Sequence, residues 1–142
     1  MIAITRQYKF SASHRLHSPE LSDVENQEVF GKCNNPFGHG HDYVLQVQLA
    51  GSVDPETGLV VNLETLDRLV RDQVLTRLAN QDLNRLVPFT ALVPTTENLA
   101  VVIDDMLRRA WSATFPPSGP RLAGVRILET KRNAFETSGV RR

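Results

Sequence analysis

The sequence predicts an α+β fold in which an antiparallel sheet carries helices on one face. Apolar and polar residues alternate over two segments in the N-terminal half and over one near the C-terminus, as expected of half-buried strands. Two stretches between them have apolar residues at three-and-four spacing, which is typical of amphipathic helices. With a hairpin partner for the C-terminal strand, the predicted order is two strands, two helices and two strands. No repeat, low-complexity tract or interdomain linker interrupts it, so we expect residues 1–142 to form one domain.

The first two predicted strands carry histidines on their apolar faces. His14 shares the parity of an apolar set that is interrupted only by Arg6 and consists of Ile2, Ile4, Tyr8, Phe10 and Ala12. His39 and His41 share the parity of Tyr43, Leu45, Val47 and Leu49. Side chains two apart on a strand project from the same face. We therefore expect all three imidazoles on the inward face of the sheet, near one end of each strand.

Start and stop signals bound the two predicted helices. Asn62 is a candidate N-cap for a helix over residues 63–78. The second helix should begin after a cap at Thr95 or Thr96. We expect it to end before Phe115, because the prolines that follow cannot continue a helix.

The third predicted strand spans residues 122–130 and carries Val125, Ile127 and Glu129 on one face. Residues 132–137 are expected to return as its hairpin partner. A carboxylate on an apolar face needs hydrogen-bond donors if it is buried. Glu129 is therefore either a partly exposed strand-end carboxylate or an anchor for a heterocycle that presents an amino group and a ring N–H.

Composition favours a cytosolic protein with a small-molecule ligand. The 16 Lys and Arg balance the 16 Asp and Glu, so net charge gives no reason to expect nucleic acid or an anionic membrane as a partner. A single cysteine, Cys33, rules out an intrachain disulfide and fits a reducing compartment. The N-terminus lacks the pattern of a signal peptide, and no apolar run is long enough to span a bilayer.

The three histidines are candidate zinc ligands. A single histidine at a strand end is more often a packed or solvated residue, but the His39-Gly40-His41 spacing and the matching parity of His14 favour a shared ion. The glycine between two ligands also permits a close approach of backbone or substrate. With no fourth protein ligand evident, one position stays open, as in catalytic rather than structural zinc sites.

Cys33 admits two interpretations. Most free cysteines are small buried hydrophobes. However, Cys33 lies in the polar, turn-forming run from Gly31 to Pro36, which core packing does not require. That placement suits a reactive thiol near a metal, where the cation and Lys32 would favour the thiolate.

These residues belong to a set of motifs that resembles the family of the 6-pyruvoyl-tetrahydropterin synthases, which includes the 6-carboxy-tetrahydropterin synthases of queuosine biosynthesis. The resemblance covers nearly the whole chain, and the combination of Cys-Asn-Asn-Pro with His-Gly-His makes it specific, closer to the pyruvoyl branch. The matching stretches are Phe10-Ser-Ala-Ser-His14-Arg-Leu-His17, Phe30-Gly-Lys-Cys33-Asn-Asn-Pro, Gly38-His-Gly-His41, Gly58 to Leu63, Thr95-Thr-Glu-Asn-Leu-Ala100 and Glu129-Thr130.

The resemblance implies the tunnelling fold, with a four-stranded antiparallel sheet, two helices on one side, trimers that close a barrel and a hexamer of two trimers. It implies Zn²⁺ bound by His14, His39 and His41 and a substrate of the 7,8-dihydroneopterin triphosphate type. Cys33 would be the general base that moves a proton. The pterin ring would be anchored by Glu129, in a pocket lined by the Thr95-Thr96 segment.

One departure from the family pattern bears on activity. Where the family has Leu-Asp-His-Lys-Asn-Leu, whose Asp and His complete the proton-transfer machinery, this chain reads Leu78-Ala79-Asn80-Gln81-Asp82-Leu83. Neither alanine nor an amide side chain titrates. The leading hypothesis is a zinc enzyme of this family. The alternatives are a pterin-binding member that has lost turnover and a member with a changed reaction, such as retro-aldol cleavage; a structural zinc protein is least favoured.

Overall fold

The computed structural model describes residues 1–137, and residues 138–142 of the predicted domain lie outside that range. The described residues contain one antiparallel sheet with the strand order β1-β2-β3-β4. Its strands are β1 (Ile2–His14), β2 (His39–Gly51), β3 (Arg121–Leu128) and β4 (Ala134–Glu136). The predicted α+β class and all four strands are confirmed, with Glu129 just beyond the end of β3.

The register of the first two strands positions the histidines. His14 lies directly opposite His39, and Ala12 lies opposite His41. The pairing of β1 with β2 begins at these histidines and extends to the other end of the strands, where Ile2 lies opposite Gly51. Because His39 and His41 lie two residues apart on β2, both face the same side of the sheet as His14.

The two predicted helices are present, and the first is irregular. It begins after an Asn62 cap as α2 (Leu63–Val70), passes through a π-helical turn (Arg71–Leu75) and ends as α3 (Thr76–Leu78). The second is α4 (Thr96–Thr114), and Thr95 is its N-cap. Over residues 1–137, no helix is both long and apolar enough to cross a membrane.

The core lies between one face of the sheet and these helices. Every second residue of β2 from Tyr43 to Leu49 is buried, and the helices meet this face with Leu66, Leu69, Val70, Leu99, Ile103 and Leu107. Fully burying such a side chain stabilises the fold by about 1.5–3 kcal/mol. The other face of β1 carries exposed polar residues and is not covered by helices.

A helix that the pattern did not predict precedes the Cys33 segment. This is α1 (Asp23–Phe30), followed by a 3₁₀ turn (Gly31–Asn34). It has no apolar stripe, since Val24 and Val29 are exposed, so periodicity could not reveal it. The signal that could have done so is the capping box of Ser22 and Glu25, in which each side chain bonds the other residue's backbone N–H.

Candidate metal and active site

The three histidines converge through their Nε2 atoms. Nε2 of His14 lies 3.1 Å from Nε2 of His39, which lies 2.9 Å from Nε2 of His41. Their candidate ligand atoms all lie within 4.8 Å of one another, and the structure shows no other such His, Cys, Asp or Glu group within residues 1–137. The cross-strand pairing of His14 with His39 produces this arrangement directly.

A backbone carbonyl sets the tautomer of His14. The side chain is only 1% exposed, and its Nδ1 lies 2.8 Å from the carbonyl oxygen of Pro94. A carbonyl can only accept, so Nδ1 carries the proton and Nε2 is left with a lone pair aimed at the other two imidazoles. Burial lowers the pKa of His14 and is also the main cause that lowers the pKa of His39. Both rings therefore favour the neutral form that binds metals.

The donor set fits a divalent cation. Without a cation or a proton between them, the Nε2 lone pairs of His14, His39 and His41 would oppose one another at contact distance. A tetrahedral Zn²⁺ at about 2.0–2.1 Å from each ligand would hold the nitrogens roughly 3.3 Å apart, close to their present spacing. Three imidazoles without a fourth protein ligand in the group leave a coordination position open.

Glu129 reaches this cluster from the end of β3. Its Oε1 lies 3.6 Å from Nε2 of His41, and its side chain is 16% exposed. The Thr96 hydroxyl donates a hydrogen bond to its Oε2. Thr95 instead accepts the backbone N–H of Asn98 at 3.1 Å as the helix cap. The structure thus brings Glu129 and Thr96 beside the histidines, while the Thr95 hydroxyl is engaged at the start of α4.

Cys33 lies on the 3₁₀ turn and is half-buried. Burial raises the pKa of its thiol, and the negative charge of Glu129 raises it further. Lys32 is exposed and is not a cause of the shift, so the expectation that this lysine favours the thiolate is not met. A cation bound by the histidines would be the positive charge that opposes this rise.

Two partners of the histidines carried no role in the sequence prediction. One is the Pro94 carbonyl, which is 80 positions from His14 and has no side-chain signature. The other is Tyr43, whose hydroxyl lies 3.5 Å from Nδ1 of His14 and whose pKa is raised mainly by burial. The position of Tyr43 two residues after His41 on the inward face was the available signal.

Comparison with known proteins gives one family. Residues 3–139 match the family model described as 6-pyruvoyl tetrahydropterin synthase. The 6-pyruvoyl tetrahydrobiopterin synthase of Drosophila melanogaster is 49% identical over 137 residues, which cover 96% of this chain and 79% of that protein. The Homo sapiens protein of the same name is 44% identical over 137 residues, covering 96% and 90%. The solved Caenorhabditis elegans 6-pyruvoyl tetrahydropterin synthase has a TM-score of 0.85 at 40% identity and covers 96% of this chain and 94% of its own.

The chain belongs to the 6-pyruvoyl tetrahydropterin synthase family. The predicted family is confirmed, and with it the tunnelling fold of the subunit and membership of a lyase family. The family's three-histidine motif is present here as a group that could hold a metal ion.

The segment that departs from the family pattern lies beside the same end of the sheet. The backbone N–H of Ser13 donates to the Gln81 carbonyl at 2.9 Å, and Ser13 and Asp82 form a parallel bridge. Asn80 is exposed and has a positive φ of 61°, a conformation that asparagine tolerates. Residues of this segment and of the sheet together line an open groove of about 450 Å³, and the lining includes His41, Asp42, Asn80, Gln81 and Asp82.

Proposed function

We propose that this protein is a zinc-dependent 6-pyruvoyl-tetrahydropterin synthase-type enzyme that acts on 7,8-dihydroneopterin triphosphate and eliminates triphosphate. The observation that carries the proposal is the convergence of three Nε2 atoms next to the Thr96–Glu129 pair. A metal site with an open position and an adjacent carboxylate suits a pterin, which has N–H groups on its ring and hydroxyls on its side chain.

His14, His39 and His41 would hold the zinc. When bound, the ion supplies Lewis acidity toward the oxygens of the substrate side chain. The Pro94 carbonyl keeps the Nδ1 proton of His14 in place, so that Nε2 remains a ligand.

Glu129 would bind the pterin ring. One of its oxygens accepts a hydrogen bond from the Thr96 hydroxyl, and the low exposure of the Glu129 side chain limits competition from water. A carboxylate can accept hydrogen bonds from an amino group and a ring N–H side by side, which fixes the orientation of a planar heterocycle. Thr96 would then help to orient the carboxylate that binds the substrate. Thr95 would contribute by capping the start of α4, which carries Thr96.

Cys33 would be the general base. Its thiol is half-buried on a turn that ends one residue before the exposed Asn35-Pro36-Phe37 run. Because burial and Glu129 raise its pKa, the thiol needs a positive charge nearby to lose its own proton, and only the resulting thiolate can accept a proton from the substrate.

A second candidate is a pterin-binding protein with weak or no turnover. Ala79 and Asn80 favour it, since neither side chain can transfer a proton where the family has Asp and His. Glu129 and Thr96, which would form the ring-binding site, are both present in this chain. The 6-carboxy-tetrahydropterin product of the queuosine branch is a further alternative, which product analysis distinguishes.

We propose further that residues 1–142 act as one domain within a homohexamer of two trimers in the cytosol. A four-stranded sheet has two edges, and closure of three sheets into a barrel would pair them. The single cysteine supports a reducing compartment.

The test is incubation of the zinc-loaded protein with 7,8-dihydroneopterin triphosphate, with products resolved by mass spectrometry and triphosphate measured separately. The matched control is the His39→Ala, His41→Ala double variant. Zinc-dependent release of triphosphate with a 6-pyruvoyl product supports the proposal. Binding of the pterin without triphosphate release supports the second candidate, and absence of both binding and turnover rejects the pterin assignment.

A further inference from the structure

The buried side chain next to the thiol is Asn34, which is 3% exposed. Its amide nitrogen donates to the Leu16 carbonyl at 2.8 Å and lies 3.0 Å from Nδ1 of His17. Its amide oxygen accepts Nε2 of Gln27, from α1, at 3.1 Å. The hydrogen bonds of this one side chain therefore join α1 to the segment that follows His14.

Backbone contacts complete the same junction. The N–H of Leu16 donates to the carbonyl of Cys33 itself at 2.8 Å, and Nε of Arg15 donates to the Asn34 carbonyl at 3.0 Å. Asn84 holds Arg15 from the other side, since it accepts the Arg15 N–H at 2.7 Å and donates to the Arg15 carbonyl at 2.9 Å. The turn with the thiol is thus attached to a segment only one residue away from a metal-ligand candidate.

We infer that Asn34 is a positioning residue that fixes the Cys33 thiol relative to the histidine cluster, a role that rests on the proposed function. The 3₁₀ turn is short and lies outside the sheet, so its own hydrogen bonds do not define where the thiol points. The two donor contacts of Asn34 join the residue after Cys33 to Leu16 and His17, and they add a side-chain anchor to the bonds that the Cys33 and Asn34 carbonyls accept. The His17 ring is held by the same amide, which accounts for the fourth histidine of the chain without making it a ligand.

A second buried asparagine provides a matched control. Asn26 is 0% exposed, accepts the Ser18 N–H at 2.8 Å and donates to the carbonyls of Ser18, Leu21 and Ser22. Its side chain has four backbone partners, where that of Asn34 has three partners, but it holds the loop before α1 and not the thiol turn. Loss of either amide leaves buried backbone groups unpaired, so both variants lose stability.

The test uses four variants of the zinc-loaded protein: Asn34→Ala, Asn34→Asp, Gln27→Ala and Asn26→Ala. Asn34→Asp keeps the shape and the acceptor for Gln27 but removes both donors. Gln27→Ala removes one bond from an exposed residue and provides a folded variant if replacement of Asn34 prevents folding. Because Cys33 is the only cysteine, the rate of alkylation by iodoacetamide between pH 6 and 10 reports on this thiol alone.

We expect both Asn34 variants to keep their zinc, to shift the pH profile of alkylation and to lose about 10- to 100-fold in kcat with a much smaller change in KM, since misplacement by about 1 Å can cost that much. Gln27→Ala should shift the profile in the same direction by less. Asn26→Ala should melt at a lower temperature but keep the wild-type profile and kcat.

A wild-type alkylation profile in both Asn34 variants, or an equal shift in Asn26→Ala, overturns the inference. If no variant of Asn34 folds, a wild-type alkylation profile in Gln27→Ala overturns the inference. Failure of the proposed function has a different signature, in which the wild type shows no synthase turnover while the alkylation profiles still differ between Asn34→Asp and wild type.

Discussion

The backbone N–H of Asn80 donates to the carbonyl oxygen of Ser11 at 2.6 Å. Together with the bond from Ser13 to Gln81, this contact attaches the 80–82 segment to the edge of β1 through backbone atoms alone. Neither bond uses a side chain of the segment, so both bonds stay available when the side chains at positions 79 and 80 differ from those of the family. The departure from the family at Ala79 and Asn80 removes titratable groups and leaves their backbone scaffold in place.

We predict that Ala79→Asp with Asn80→His raises synthase turnover. General acid–base assistance is typically worth about 10²- to 10⁴-fold, so the gain should be visible in steady-state kinetics with 7,8-dihydroneopterin triphosphate. Histidine is among the residues that tolerate the positive φ of position 80. The control is Gln81→His, which adds an imidazole to the same segment one residue away. An equal gain from the control, or a wild-type rate already typical of the family, contradicts this account of the two substitutions.

Zinc content should depend on the histidine cluster and not on the fourth histidine. We predict about one zinc per subunit in the wild type and loss of most of it in the His39→Ala, His41→Ala double variant, because one imidazole makes a poor site. His17→Ala, whose ring contacts Asn34 instead, should retain the metal. Mass-spectrometric metal analysis after dialysis measures both. Full zinc content in the double variant would rule out this ligand assignment.

Acidification should release the same metal. Burial lowers the pKa values of His14 and His39, so both rings are neutral near pH 7 and must gain protons before the site is lost. Metal competes with protons for Nε2, so the apparent zinc affinity should fall as the pH decreases, and most steeply in the acidic range. Titration with a zinc chelator at several pH values checks the direction. An affinity that does not change between pH 7 and pH 5 is the contrary result.

The thiol should matter for catalysis and not for binding. We predict that Cys33→Ala lowers turnover by about 10²- to 10⁴-fold while zinc content and pterin affinity stay near wild type. The reason is that Cys33 lies outside the histidine group and that Glu129 and Thr96, which would bind the ring, do not hydrogen-bond to it within the described residues. Kinetics combined with fluorescence titration of a pterin separates the two effects. Unchanged turnover shows that the thiol is not the base.

An ion pair between β1 and α2 should make stability depend on acid pH. Nε and Nη2 of Arg6 donate to the Asp67 carboxylate at 3.1 and 2.9 Å, and the Tyr8 hydroxyl donates at 2.7 Å. The bond from Arg6 is the main cause that lowers the pKa of Asp67 below its ordinary value. A lowered carboxyl pKa stabilises the fold fully above the unfolded-state pKa of about 3.9, and this contribution is lost as the pH falls through the folded-state value.

We therefore predict that Asp67→Asn destabilises the protein at neutral pH and that its difference from the wild type disappears in acid. The effect should be modest and smaller in high salt, because both partners are partly exposed. Asp72→Asn is the control, since Asp72 pairs with the neighbouring Arg71 on the surface. Urea unfolding at pH 7 and below pH 3 measures the difference. A difference of equal size at both pH values would contradict the linkage.

Much of the site was determined by the sequence alone, because it depends on local rules. A strand alternates its faces every residue, so the parity of His14, His39 and His41 fixed which way they point. The Asn62 cap was likewise predicted, and Thr95 was one of two candidates for the second cap, since a cap depends on a bond to a backbone N–H three residues away. The α1 helix was not predicted because its apolar residues form no stripe, although its capping box was present in the sequence.

Only the tertiary structure decided which distant groups complete the cluster. Three of these contacts join residues that are 80, 33 and 18 positions apart. They are the contact of the Pro94 carbonyl with His14, the bond from the Thr96 hydroxyl to Glu129 and the bond from the Asn34 amide to the Leu16 carbonyl. It also decided that the pKa of Cys33 is raised, because burial and the charge of Glu129 are set by the packing around the turn. Local patterns specify the direction of a side chain relative to its own strand or helix. The partners that it meets depend on how the sheet, α4 and the intervening turns pack together, and no spacing along the chain encodes that.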